Sequence, residues 1–532
     1  MSSDRRQLSP RVILVADRTL AGDYSILFEG IFASMQTTKV PRFAWKHLLS
    51  KPVPVSPDGR ASQAPIGVRR VEASLLAETD LTEEDVVVAT PESLPGLLSS
   101  RTEAVLFSSS DPLGRGMSNT TTSAFWSGRL YTEVLTEETL LMLKGAKQTF
   151  GFKVIVGGAG AWQFTGDRDE ARRLGVDTIF EGYFENQGPQ LIEDILAGKP
   201  VADHIAEKGT AIERLRPIRG GAMLGVLELS RGCGYGCEFC TMSDRPMQHV
   251  PADVVLSDLE ANYRAGSRSV VNSSEDFFRY GATGAKVNFE ALRDLLTRMR
   301  EVGQLRFMQI DHANVTSVLQ YSKEQLAEIR RLLTWSARTD YLWVNLGVES
   351  ASGRLVKSIG PGKLGRLDPD CWAEAVTEAG WKLTETGFFP VFSLVLGLEG
   401  ETPADVAATQ TLVDEFDRMG AVVFPVFHEP YRQDRRHARF DLSRMREDHL
   451  DLYERCYEMN FRRAPKLYYD NQRAGGVAWF KRNLIQTLGK TEVAGWRRNF
   501  RRERRRIRRT TQQCCDRAAV ALAAEAERNS HG

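Results

Sequence analysis

The sequence predicts a multidomain α/β protein. A doubly wound unit occupies residues 1–205, a partial (β/α)6 barrel 206–435, and a helical, basic region 436–532. Three observations predict it. Short apolar runs bounded by turn residues alternate with helical stretches through the first two hundred residues. A strand-then-helix rhythm then repeats about six times. The remainder is polar and arginine-rich, and at 532 residues the chain is too long for one simple core.

In the first unit the runs at 12–15, 86–89, 105–107, 153–156 and 178–180 read as buried parallel strands. Gly157-Gly158-Ala159-Gly160 follows the fourth of them, at the strand end where open α/β sheets take ligands. The second unit begins with a strand at 226–229 and a cysteine-rich loop. A helix at 251–265 has Pro251 in its first turn and Val255, Leu259 and Tyr263 on one face. A strand at 269–272 and a helix at 289–300 follow, then strands at 305–310, 342–347, 391–396 and 422–426. Six units fall short of a closed eight-unit barrel. In the third region, residues 496–509 carry nine arginines and one glutamate, with Trp496, Phe500 and Ile507 as the apolar exceptions. The tail beyond Cys515 is expected to fray.

Composition is that of an ordinary globular protein, 42% hydrophobic and 26% charged with a net charge of +1, which excludes a globally basic or acidic chain. No run of about 18 apolar residues is present. The N-terminus lacks a secretory h-region, so the expected location is cytoplasmic. Seven cysteines are too few for a disulfide framework, and three of them lie within eight residues. Cys371, Cys456, Cys514 and Cys515 read as ordinary thiols.

Those three, Cys233, Cys237 and Cys240, have the spacing C-x3-C-x2-C. Three thiolates fill three corners of a cubane iron–sulfur cluster and leave one iron open for a substrate. A structural zinc site wants four ligands, and His249 is the only neighbouring candidate. Gly232, Gly234 and Gly236 allow a tight backbone path around such a cluster.

Arg231-Gly-Cys233-x3-Cys237-x-Phe239-Cys240, after the first strand of a βα series, resembles the signature of the radical S-adenosylmethionine (SAM) superfamily. The resemblance implies a 4Fe-4S cluster on the three cysteines, with Phe239 near the SAM adenine. Ser274-Glu275-Asp276 stands where that family binds the SAM amino group, and Gly347-Val-Glu349-Ser350 resembles its G-x-E-S contact with SAM. Residues 396–402 resemble a further family motif, with Glu399 in place of proline. The implied chemistry is one-electron cleavage of SAM to methionine and a 5′-deoxyadenosyl radical, the electron coming from a donor such as flavodoxin or ferredoxin.

The N-terminal unit resembles the Rossmann-like, cobalamin-binding domain of the B12-dependent radical SAM class. Ser108 and Asp111 after one strand, Gly157, Gly158 and Gly160 after another, and Glu181-Gly182 near the end of the unit carry that likeness. It implies a crevice for cobalamin between strand ends. No D-x-H-x-x-G is present to ligate cobalt from below. Ala16-Asp17-Arg18-Thr19-Leu20, Asp111-Pro-Leu-Gly114 and Gly387-Phe-Phe-Pro390 also resemble the radical SAM family that acts on archaeal tetraether lipids.

Three functions follow as expectations. The first is a cobalamin-dependent methyltransferase acting on an unactivated carbon or a phosphinate phosphorus in natural-product (antibiotic) biosynthesis. The second is radical carbon–carbon bond formation on a lipid chain without methyl transfer. The third is RNA modification, disfavoured because residues 496–509 lack aromatic platforms for stacking bases. An anionic membrane surface is the alternative partner for that segment. His312, Asn314 and residues 428–431 sit on barrel loops where substrate would lie.

Overall fold

The computed structural model describes residues 8–336, 342–431 and 439–530; for 511 and 514–530 it describes the backbone alone. The expected boundary at 435 and the side chains of Cys514 and Cys515 lie outside what is described.

Six parallel strands form the first sheet: β1 (Val12–Ala16), β2 (Val86–Ala89), β3 (Ala104–Ser108), β4 (Lys153–Gly157), β5 (Thr178–Glu181) and β6 (His204–Ala206), in the order β2-β1-β3-β4-β5-β6. Alternation along β1 sends Val12 and Leu14 to one apolar layer and Ile13 and Val15 to the other, so the strand is covered on both faces. The order reverses between β1 and β3, which places a switch-point crevice over their carboxyl ends. Strand β6 was not anticipated: His204-Ile205-Ala206 is too short and too exposed to stand out as an apolar run. The expected boundary at 205 falls inside it.

The second sheet system is an arc of six parallel positions. It runs from β7 (Val226–Leu227) through β10 (Val270–Asn272) and a third strand split into β11 (Met308–Ile310) and β12 (His312–Ala313). It continues through β13 (Leu342–Glu349) and β14 (Phe388–Leu396) to β15 (Val422–Phe427). These parallel strands follow the chain order that the sequence predicts, with one difference. The first strand ends at Leu227, and Ser230–Arg231 (β8) turns to pair antiparallel with Gln248–His249 (β9). That hairpin encloses all three clustered cysteines.

The C-terminal region is two long helices, α1 (Glu447–Ala474) and α2 (Trp479–Ser530). Beyond Cys515, where fraying is expected, the backbone is helical to Ser530; the alanine, glutamate and arginine that dominate this stretch have high helix propensity. Trp496, Phe500 and Ile507 are buried in the same core as the barrel and as Phe125 of the first unit.

A buried ionic chain ties the two sheets together. Arg70 reaches Asp258 and Glu228, its Nε 2.9 Å from Glu228. Arg231 bonds Glu228 at 3.1 Å and Glu185 at 2.8 Å, and its guanidinium lies 4.1 Å from the Tyr183 ring. Arg70 and Glu185 belong to the first unit; Glu228, Arg231 and Asp258 to the second.

Removing one member leaves its partners buried and unpaired. Arg70→Met is expected to lower the unfolding free energy at neutral pH by about 3–5 kcal/mol, read by urea titration. Burial pushes the Glu228 carboxyl up, but Arg231 and Arg70 outweigh it and hold it down at about 2, against an ordinary 4.5. Its contribution to stability is full above pH 4.5 and is lost as pH falls toward about 2. Glu228→Gln should abolish that part of the acid-induced loss while starting from a lower stability at pH 7.

Candidate functional site

The cysteine loop is held by its own backbone. Cys233 N–H donates to Arg245 O at 3.0 Å and Gly236 N–H to Ser243 O at 2.9 Å. Ser243 Oγ donates to the carbonyls of Cys237 (2.6 Å) and Cys240 (2.8 Å). Gly232 has φ +76°, and a Cβ there would come within 2.5 Å of Pro246 O, so the loop closes only with glycine at that position. Arg231, immediately before it, is a buried strut and faces the first unit.

Cys237 is buried, and Cys233 and Cys240 are half-buried. Burial raises all three thiols; Cys237 and Cys240 raise Cys233 further, Cys240 raises Cys237, and Glu275 raises Cys240. Among the described residues no three His, Cys, Asp or Glu side chains are already drawn together at metal-ligand distance. The hairpin carries all three thiols, and a cluster would have to gather them.

A lysine ammonium faces them. Lys363 is buried, interacts with all three thiols, donates to Gly347 O at 2.9 Å and pairs with Glu349. The sequence reading missed it. The signal was Gly360-Pro361-Gly362-Lys363, whose glycines let this loop lie against the hairpin. A Cβ on Gly360 would be 2.7 Å from Cys237 Sγ, and one on Gly362 would be 2.8 Å from Tyr235 Cα.

The residues expected to bind SAM divide into two groups. Glu275 is the free one: burial raises its carboxyl to about 7, it interacts with Cys240, and its Oε2 is buried without a hydrogen-bond partner. Glu349 sits at a bulge in β13 with φ +64°, a strained left-handed conformation that aims its carboxylate at Lys363. Phe239 packs on Leu355, Ile359, Val395 and Leu398.

The other three are taken up by the fold. Ser274 Oγ accepts from Leu229 N–H (2.8 Å) and Ser230 N–H (3.0 Å), fixing the entry to the hairpin. Ser350 Oγ lies 3.3 Å from Thr409 Oγ1 and accepts from Ser352 N–H at 3.1 Å. Asp276 is fully buried and accepts from Tyr235 Oη at 3.0 Å and Ser317 Oγ at 2.5 Å, so it braces the cysteine loop against the third strand. Burial raises it to about 6.

The loops of the third and sixth strands complete the rim. Asn314 caps a short helix through Thr316 N–H, and His312 lies 3.0 Å from Asn345 Nδ2. His428 Nε2 is 3.3 Å from Glu238 Oε1 within the cysteine loop.

At the carboxyl edge of the first sheet the expected cofactor contacts are mostly satisfied internally. Asp111 accepts from Gln163 Nε2 (2.6 Å), Gly116 N–H (2.9 Å) and Asn119. Gly158 and Gly160 lie against the Ser108–Ser110 backbone so closely that any Cβ would collide. Glu181 bonds Thr165 and, at 3.1 Å, His204. Gly182 abuts Glu207 O, while Gly157 has nothing nearer to an added Cβ than Phe180 O at 3.6 Å. Asp17, after β1, is wholly buried and its Oδ2 has no hydrogen-bond partner.

This edge faces the barrel's own carboxyl ends. The Trp162 and Tyr431 rings meet edge-to-face at 5.4 Å, and Phe427 N–H donates to Thr121 Oγ1 at 2.8 Å. Burial raises the Glu429 carboxyl there, partly offset by Arg439, His428 and Arg115.

No protein-family model and no curated protein matches the sequence. Two solved structures of TsrM from Kitasatospora setae, a radical S-adenosylmethionine methyltransferase, are similar in fold. One, with tryptophan substrate and the SAM analogue aza-SAM bound, aligns with a TM-score of 0.51 at 13% identity, over 78% of this chain and 73% of that one. The other, with cobalamin and a [4Fe-4S] cluster bound, aligns with a TM-score of 0.51 at 14% identity, over 79% and 75%. At this identity the likeness is one of fold, and it extends across both sheet systems.

Proposed function

We propose that this chain is a radical SAM enzyme that transfers a methyl group with the help of cobalamin. The observation that carries the reading is the position of the three-cysteine hairpin. It follows the first strand of a six-position partial barrel, beside a buried carboxylate oxygen on Glu275 that has no partner. Cys233, Cys237 and Cys240 would hold a 4Fe-4S cluster, since three thiols raised by burial in one hairpin call for a cationic centre to stabilise their ionised form. Glu275 Oε2 fits the ammonium of SAM, and Phe239 with its apolar neighbours fits the adenine. When bound, the reduced cluster supplies the electron that cleaves SAM, and cobalamin supplies a methyl carrier.

The chain's own part is placement and exclusion of water. The buried ionic chain sets the hairpin against the first unit, Asp276 and Tyr235 fix its far side, and Lys363 places positive charge between the thiols and Glu349. Cobalamin would lie between the two facing carboxyl edges, over β1, β3 and β4. Contact there falls to the backbone around Ser108 and Gly157, because Asp111 and Glu181 are already bonded within the chain. Methyl transfer is supported by the fold shared with TsrM across both units. The acceptor we assign is an unactivated carbon or a phosphinate phosphorus of a small molecule, with residues 1–205, 206–435 and 436–532 as the working units.

The test is anaerobic reconstitution with iron, sulfide and hydroxocobalamin, then incubation with SAM and a reductant. We expect co-eluting corrinoid and two products, 5′-deoxyadenosine and S-adenosylhomocysteine. Cys237→Ala should lose the cluster absorbance and 5′-deoxyadenosine together. SAM cleavage without bound corrinoid would contradict the methyl-transfer part, and a variant spectrum identical to wild type would contradict the cluster assignment.

A further inference from the structure

Helix α2 has an inner and an outer face. The inner one carries Trp496, Phe500 and Ile507 into the core. Five of the nine arginines between 496 and 509 are ion-paired: Arg497 with Glu458, Arg502 and Arg506 with Glu503, Arg504 with Asp451 and Glu454, and Arg508 with Glu447. Trp496, Phe500 and Ile507 therefore cannot reach a lipid phase, and more than half of the arginine charge is already paired.

The outer face is a different surface. Arg498, Arg501, Arg505 and Arg509 are exposed and have no carboxylate partner among the described residues. At 100° per residue they fall within one narrow stripe opposite the buried side. Phe480, Leu484 and Leu488 lie along the same side, about three to five turns nearer the helix start than Arg498. Phe480 is 71% exposed, and Leu484 and Leu488 are 41% and 42% exposed. Trp479, 69% exposed, flanks them. Of the seven large apolar side chains exposed among the described residues, these four fall in ten consecutive positions. Such concentration marks a contact surface.

We propose that this outer face docks the protein on an anionic membrane, its first turns seated in the acyl boundary and its arginine stripe on lipid phosphates. The occupant must offer an apolar phase and negative charge along one straight line about 44 Å long. A lipid surface does both. A second copy of this chain does not. Parallel pairing sets arginine on arginine, and antiparallel pairing sets arginines on Phe480 and Leu484 without a counter-charge. Nucleic acid supplies the phosphates but nothing for Leu484 and Leu488. This inference does not depend on the cluster or on SAM.

The test is co-sedimentation of the full chain with phosphatidylcholine vesicles and with vesicles in which phosphatidylglycerol replaces part of the phosphatidylcholine. We expect pelleting with the second kind only, weakened by added salt. Neutralising all four arginines (Arg498→Gln, Arg501→Gln, Arg505→Gln and Arg509→Gln) should lower partitioning by roughly six hundredfold, at about fivefold per arginine. The pair Phe480→Ser and Leu484→Ser should lower it by roughly tenfold or more. All six side chains are exposed, so unchanged circular dichroism is expected. Absence of pelleting, equal pelleting with neutral vesicles, or variants that bind like wild type would overturn the proposal. So would a dimer that the Phe480→Ser and Leu484→Ser pair dissolves, or a short RNA that binds this pair as tightly as wild type.

Discussion

The arrangement of this protein depends on Arg231. Its guanidinium is almost wholly removed from solvent and is shared between Glu185, from the end of the first unit, and Glu228, just after the first barrel strand. Arg70 and Asp258 extend the same chain of charge. Such groups are tolerable in a low-dielectric interior only as a set, so the two sheets cannot separate or slide without exposing an unpaired ion. Because Arg231 is also the last residue of the strand that opens the cysteine hairpin, the constraint that docks the two units fixes where the thiols stand. Sheet-to-sheet geometry and site geometry are one problem with one solution.

Within the site, burial does most of the electrostatic work. It raises the three thiols, Glu275 and Asp276 together; Lys363 opposes it at Cys237 and Cys240, and Arg279 at Asp276. An enclosure in which burial disfavours the ionised form of several acidic ligands favours the arrival of a cationic group. The bulge at Glu349 belongs to the same design: its left-handed backbone turns a carboxylate out of an apolar strand to meet Lys363. Strain there is compensated by the ion pair.

What was legible in the sequence follows from the kind of signal each feature leaves. Central strands such as β1 and β14 are long apolar runs covered on both faces, and they stand where periodicity puts them. The three cysteines and their glycines were legible because cluster chemistry needs that spacing. Features of two or three residues were not legible: the β8–β9 ladder, strand β6, and the break at Asp311 that splits the third strand. Nor could the sequence separate polar residues that face a ligand from those that hold the backbone. Ser274, Ser350 and Asp111 have the right type and ordinal place, yet their hydrogen bonds are made within the chain, whereas Glu275 keeps an oxygen without one. The arginine segment was read as one feature; burial divides it into a paired flank and an outer stripe.

The facing carboxyl edges of the two sheets give the protein a single place where a cofactor of the first unit and a reaction of the second could meet. The claim on which that picture rests is that the cysteine hairpin holds an iron–sulfur cluster with one open iron. Electron paramagnetic resonance of the reconstituted, reduced protein with and without SAM tests it most directly. The account predicts a cluster signal from about four irons per chain that shifts when SAM is added. A signal indifferent to SAM, or tightly bound zinc with no iron, would contradict it.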